Sequence, residues 1–194
     1  MTWKIRWTTW GLFGAALSVL VSMQSILPGE RAITDFLTNL PPDRLWEFFN
    51  DIVKTKWLFG SIVLAATLVI YVLFPPRETV IPLASLMGGI VIDWILTPLI
   101  DRPRPSLIST SASFPSGGAI YWAAWLGGIA LVVWRRMRPG IVRTVFVYAL
   151  VVAIALGGVA RLATGSHWLT DVLGAWTWAA AWVFWLHGAT RQVN

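Results

Sequence analysis

The 194-residue chain contains no cysteine, which excludes disulfides and thiolate chemistry without fixing a compartment. Charge is scarce too: Asp, Glu, Lys and Arg make up 12% of the residues, and only nine of these are acids. A soluble helical domain needs a polar stripe along most of its helices, and here the long apolar runs have none. There is no internal repeat and no low-complexity tract. Nor is there a basic run interleaved with aromatics outside the loops flanking the apolar runs, so nucleic acid is excluded as a partner despite a net charge of +6. Loop charge facing anionic lipid headgroups accounts for that excess.

What the chain has in quantity is hydrophobic residues, at 57% with a mean hydropathy of +0.68. They come in runs near the roughly 20 residues needed to cross a bilayer. The fold class read from this pattern is all-α: a polytopic membrane protein forming a single domain over 1–194. Six transmembrane helices are expected near Trp7 to Leu27, Trp57 to Phe74, Val80 to Ile100, Gly117 to Trp134, Ile141 to Leu162 and Trp168 to His187. Pro28-Gly29, Pro75-Pro76, Pro103, Pro105, Pro139-Gly140 and Gly165 mark the exits. Trp7, Trp57, Trp134, Trp168 and Trp185 fall near span ends, as interfacial belts do, and the mid-span tryptophans read as packing residues. The first span is long enough to cross and no small-x-small site follows it, so it reads as a retained helix and not a cleaved signal.

With both termini cytoplasmic, the inner loops hold Lys4, Arg6, Arg77, Arg135, Arg136, Arg138, Arg143 and Arg191, eight of the fifteen basic residues. Of the other seven, Arg102, Arg104 and Arg161 belong to a candidate site, which leaves four outside. The positive-inside rule therefore predicts cytoplasmic ends and an extracytoplasmic site in the cell membrane. Between the first two spans, Pro28 to Lys56 carries five of the nine acids, Glu30, Asp35, Asp43, Glu47 and Asp51, among many apolar residues. That pattern predicts short amphipathic helices on the outer membrane surface, as a fence for a lipid entrance beside the site or, the favoured reading, a passive connector.

Three polar stretches sit at the ends of apolar runs: Arg102-Pro103-Arg104-Pro105, Pro115-Ser116-Gly117-Gly118, and Arg161 with His167 and Asp171. Arginines from separate segments can grip phosphate oxygens with fork-shaped hydrogen bonding. A Ser-Gly turn opening a helix offers backbone N–H groups to an anion, although an ordinary N-cap also explains Ser116. Asp171 follows His167 by four residues, which stacks the two side chains on one helical face and lets the carboxylate orient the ring as a nucleophile. Asp93, inside the third span, reads as a structurally paired acid, and His187 as a headgroup-level residue at the inner end of the sixth span.

These motifs resemble the type 2 phosphatidic acid phosphatase (PAP2) superfamily, which shares its site with vanadium haloperoxidases. The family pattern is a lysine seven residues before Arg-Pro, then Pro-Ser-Gly-His, then Ser-Arg, five residues, His, three residues and Asp. The chain matches at Arg104-Pro105, Pro115-Ser116-Gly117, Arg161, His167 and Asp171. The resemblance implies that His167 is a nucleophile forming a phosphohistidine, oriented by Asp171. It implies that Arg104, Arg161, Ser116 and the N–H of Gly117 bind the phosphoryl oxygens, with Arg102 adding charge. It implies no metal and no cofactor, and a membrane lipid phosphate as substrate.

Two positions depart from the pattern: Thr97 stands at the lysine, and Gly118 at the histidine that protonates the leaving oxygen in the family. Losing such an acid hurts alkyl monoesters most, because a diphosphate leaves as a phosphate anion that hardly needs a proton. The expected activity is hydrolysis of a lipid diphosphate such as undecaprenyl diphosphate on the outer face. The alternative is a non-catalytic lipid-binding or assembly subunit of the same fold.

Overall fold

A computed structural model describes residues 3–41, 43–106 and 111–191; the extreme termini, expected inside, lie outside the described residues. Among the described residues the chain is helical throughout, with no strand. The helices are α1 (Trp3–Met23), α2 (Glu30–Thr38), α3 (Asp43–Lys54), α4 (Lys56–Leu73), α5 (Pro76–Ile100), α6 (Gly117–Arg136), α7 (Ile141–Ala163) and α8 (Leu169–Arg191). Six of these have 18 residues or more and correspond in order to the six expected spans. By length and composition α5, α6 and α7 qualify to cross a membrane, and α3 with residues 57–73, bent by 71°, would make a fourth. The wide apolar exterior, including Leu12, Val72, Trp94, Leu99 and Ile141, is that of a membrane protein.

Local chemistry sets the boundaries. Pro76 occupies the first turn of α5, where a missing N–H costs nothing, so the helix starts four residues earlier than expected. The α7 helix ends in a Schellman turn: Gly165 adopts φ +62°, its N–H donates to Leu162 O, and Ser166 N–H donates to Arg161 O. The sharp reversal carries the chain from Arg161 to His167 within one loop.

The core lies around α6, which packs on α5, α7 and α8, while α1 packs on α8. Close approach comes from small residues, as is usual where lipid supplies no hydrophobic drive between helices. A Cβ on Gly89 would stand 3.1 Å from the Ala124 methyl, and one on Gly128 would stand 2.7 Å from the Pro82 backbone. Three mid-helix tryptophans are packing residues, as expected, whereas Trp94 is exposed on the apolar exterior. Trp122 donates its indole N–H to Ala153 O at 2.8 Å, Trp182 to Ala84 O at 3.0 Å, and Trp178 to Ser18 Oγ at 3.2 Å. At the end of the α5–α6 pair away from the motifs, buried Glu78 accepts from Arg136, one of the arginines expected in an inner loop.

Two expectations need correction. Trp168 is no belt residue: it is buried, donates to Pro103 O at 2.8 Å, and lies beneath the Arg102 guanidinium. The connector is not a passive surface element either. Its two helices pack on α7, α3 also meets α6 and α2 also meets α8, burying Glu30, Thr34, Asn50 and Val53. An amphipathic helix hides its apolar stripe equally well against a lipid surface or against neighbouring helices, and here the neighbours win.

The indole of Trp182 lies so close to Gly88 that a Cβ there would fall 2.0 Å from the ring, whereas Gly60 has nothing within 4 Å. Gly88→Val should therefore destabilise the protein by about 1–3 kcal/mol. Gly60→Ala should leave it unchanged or slightly more stable. Thermal unfolding of the two variants in the same detergent checks the pair.

Candidate active site

The three polar stretches converge. Ser116 N–H donates to Asp171 O at 3.1 Å, tying the second motif to the third. Ser113 N–H donates to Arg102 O at 2.8 Å, tying the first to the approach of the second. The candidate side chains thus gather at the C-terminal ends of α5 and α7 and the N-terminal starts of α6 and α8.

His167 is the centre of the cluster and is almost fully buried. Its Nδ1 lies 2.9 Å from the Ser113 carbonyl oxygen, which can only accept. Its Nε2 lies 2.7 Å from Arg161 Nη2 and 3.1 Å from Arg104 Nη1, which can only donate. One tautomer satisfies all three contacts: the proton sits on Nδ1, and the Nε2 lone pair faces two guanidinium groups. Burial pulls the imidazole from its ordinary 6.5 down to about 4; Asp171 opposes that shift, while Arg161 and Arg104 add to it. The ring is therefore neutral at physiological pH.

The arginines divide by task. Arg161 also donates to Asn50 Oδ1 at 2.5 Å, and its Nε is buried with no partner. Arg104 is held by Ser111 O, Ala112 O and Ser166 O at 3.0–3.1 Å, which aims Nη1 at the imidazole. Its pKa is lowered by burial, while the charges of Asp171 and Asp93 act to raise it.

Arg102, expected among the phosphate ligands, is engaged elsewhere. Its guanidinium donates to Ser25 O, Glu30 Oε2 and Asp171 Oδ1, each at 2.5 Å, and to Thr170 Oγ1 at 2.8 Å. With side-chain exposure at 0%, it has no free face for an anion.

Asp171 is placed differently from the expected dyad. Its Oδ2 accepts the Trp168 N–H at 2.8 Å, reaching back to the N-cap of α8 as in half of a capping box. The same carboxylate oxygen is 3.5 Å from His167 Nδ1, farther than Ser113 O. Glu30 completes the cap, accepting from Thr170 N at 3.0 Å and Thr170 Oγ1 at 2.6 Å.

Ser116, the N-cap of α6, makes no side-chain cap bond, and its buried hydroxyl is unpartnered. The ordinary-cap explanation therefore fails. Gly117 opens α6 and lies against Asp93, whose carboxylate is held by the hydroxyls of Thr97 (3.1 Å) and Tyr121. At Gly118 a Cβ would meet Val53 Cγ1 at 2.6 Å, so the position of the family histidine is closed by an apolar side chain from α3. His187 is apart from all of this: with Arg6 and Trp134 it lines an apolar cavity between α6, α7 and α8 that none of these site residues enters.

Sequence reasoning missed Glu30, Asn50, Val53 and Ser113. The acid-rich stretch before the second span held the signal for the first, since an acid beside so much apolar surface calls for a partner. The others carried no signal in residue type or spacing.

The PAP2 superfamily model matches residues 7–194. The chain belongs to the PAP2 superfamily. Its fold is similar to the first transmembrane PAP2 type phosphatidylglycerolphosphate phosphatase from Bacillus subtilis, with TM-score 0.82 at 16% identity, covering 97% of this chain and 98% of the other. It is also similar to Aquifex aeolicus LpxE, with TM-score 0.65 at 16% identity over 84% of this chain and 97% of that one. No curated protein sequence matches. Against the superfamily pattern Thr97 and Gly118 depart as expected, and buried Ala160 is a third departure, standing at the serine of Ser-Arg.

Two measurements follow. In a histidine-edited NMR titration in detergent, with His187→Ala for assignment, His167 should stay neutral from pH 8 to pH 5. Because the folded value of about 4 lies below the unfolded 6.5, the unfolded chain binds the extra proton between them, and this residue's share of stability is lost as pH falls through that window. Arg102→Met should cost about 3–5 kcal/mol of stability by leaving two buried carboxylates without a counter-charge. Arg104→Met should leave the fold nearly intact in the same unfolding assay.

Proposed function

We propose that this protein is a six-span membrane phosphatase that hydrolyses a polyprenyl diphosphate of the undecaprenyl type on the extracytoplasmic face, with both termini cytoplasmic. The observation that carries the reading is the Nε2 lone pair of neutral, buried His167 held between Arg104 and Arg161. Nε2 attacks the terminal phosphorus and the bridging P–O bond breaks. The products of that step are a phosphohistidine and the lipid monophosphate.

The guanidinium groups that hold the lone pair are positioned to take up the charge on the transferring phosphoryl oxygens. The unpartnered Ser116 hydroxyl and Arg161 Nε are further donors for those oxygens, as is the N–H of Gly117 at the start of α6. Asp171 acts with Arg102 and Glu30 to fix the start of α8, and so the ring that precedes it. The Bacillus subtilis protein of similar fold is a phosphatidylglycerolphosphate phosphatase, and a lipid phosphate substrate for this chain accords with that. A non-catalytic anion pocket would need arginines and N–H groups, but no imidazole locked in one tautomer.

The diphosphate preference rests on Gly118 and Val53. Together they put apolar surface where the superfamily pattern has a proton-donating histidine. A leaving phosphate anion tolerates that loss; a leaving alkoxide does not.

Detergent-purified protein should release phosphate faster from undecaprenyl diphosphate than from phosphatidic acid, and His167→Ala should abolish both. Faster release from phosphatidic acid would contradict the preference. Gly118→His alone should gain little because of the Val53 methyl. Gly118→His with Val53→Ala should raise the monoester-to-diphosphate rate ratio by about tenfold or more, within the range an acid group supplies.

A further inference from the structure

Asp93 is an acid inside α5 to which the reaction above assigns no role. Its carboxylate oxygens stand 3.1 and 3.3 Å from the point a Cβ on Gly117 would occupy, so it lies against the first turn of α6 because residue 117 has no side chain. That turn offers its N–H groups to the phosphoryl group. Thr97 and Tyr121 each donate a hydroxyl to the carboxylate and so fix its orientation. Among the described residues no Lys or Arg nitrogen lies within ion-pair distance of it. Arg104, whose Nη1 touches the imidazole, is within electrostatic reach. Asp93, Thr97, Gly117 and Tyr121 are all partly exposed, so the carboxylate lies in a cluster that is not fully buried.

We propose that Asp93 is a further catalytic residue, the base that activates the water that hydrolyses the phosphohistidine. The proposal rests on the phosphohistidine reading above. A diphosphate leaves without a proton, but the second half of the reaction still has to dispose of one. The water oxygen bonds to phosphorus as the Nε2–P bond breaks, and the electron pair returns to Nε2. One water proton stays on the phosphate product and the other passes to Asp93, which then releases it to solvent. Asp93 comes from the α5–α6 side of the site, and His167 from the α7–α8 side.

The departures at 97 and 118 then have a common logic. A lysine at 97, one helical turn beyond Asp93, would be placed to pair with this carboxylate, whereas threonine orients it and leaves its charge available. With the histidine replaced by Gly118, the proton-handling group has moved from α6 to α5.

The test uses the full-length protein in detergent with polyprenyl diphosphate labelled on its terminal phosphate, quenched in alkali to preserve phosphohistidine. Asp93→Asn should form the labelled phosphoenzyme at a rate within about threefold of the unsubstituted protein. It should then accumulate it to near one phosphate per active chain, while turnover falls about 10²-fold or more. Tyr121→Phe, which removes one orienting hydrogen bond, should slow the same step by about tenfold. Unchanged turnover in both variants, or a phosphorylation rate that falls together with turnover, would overturn the assignment. If His167→Ala keeps full activity and the unsubstituted protein never becomes labelled, the phosphohistidine reading fails first and the base has nothing to act on.

Discussion

A single buried guanidinium organises the end of this bundle that carries the three motifs. Arg102 reaches back to the loop after α1 through Ser25, to α2 through Glu30 and to α8 through Asp171, with Trp168 beneath it. One positive charge set between two carboxylates is strongly held in a low-dielectric interior, and each partner is costly to remove. Its effect is to close the cap of α8 and set Asp171, and with it the loop that presents His167. The residue that lends this motif its basic character is thus scaffold, and its neighbour Arg104 is the one that meets the imidazole.

The imidazole takes its tautomer from the backbone. A carbonyl oxygen at Nδ1 and two obligate donors at Nε2 leave no alternative arrangement of the proton. Burial then keeps the ring uncharged, which a lone-pair nucleophile requires. Asp171 contributes more through helix capping and the Arg102 pair than through direct contact with the ring.

Much of this was legible in the residues. Apolar runs punctuated by proline and glycine located the six long helices. The order and spacing of Arg104, Ser116, Arg161, His167 and Asp171 foretold their convergence. The connector was not legible, because the amphipathic pattern of α2 and α3 is the same whether the apolar face meets lipid or protein. Glu30 and Thr170 are 140 residues apart, and no local signal pairs them. Arg102 and Arg104 share the same Arg-Pro context and differ only in what the fold puts beside them. Ser113 acts through a backbone carbonyl, which every residue has, and Val53 acts through a methyl group that matters only because residue 118 is glycine.

The central claim is that His167 Nε2 is the atom that meets phosphorus. A crystal or cryo-electron structure with orthovanadate bound tests it most directly. The account predicts a vanadium–Nε2 bond, equatorial oxygens in contact with Arg104, Arg161 and the Ser116–Gly117 turn, and Arg102 still paired with Glu30 and Asp171. Vanadate bound away from His167, or an imidazole turned to place Nδ1 toward the anion, would contradict it.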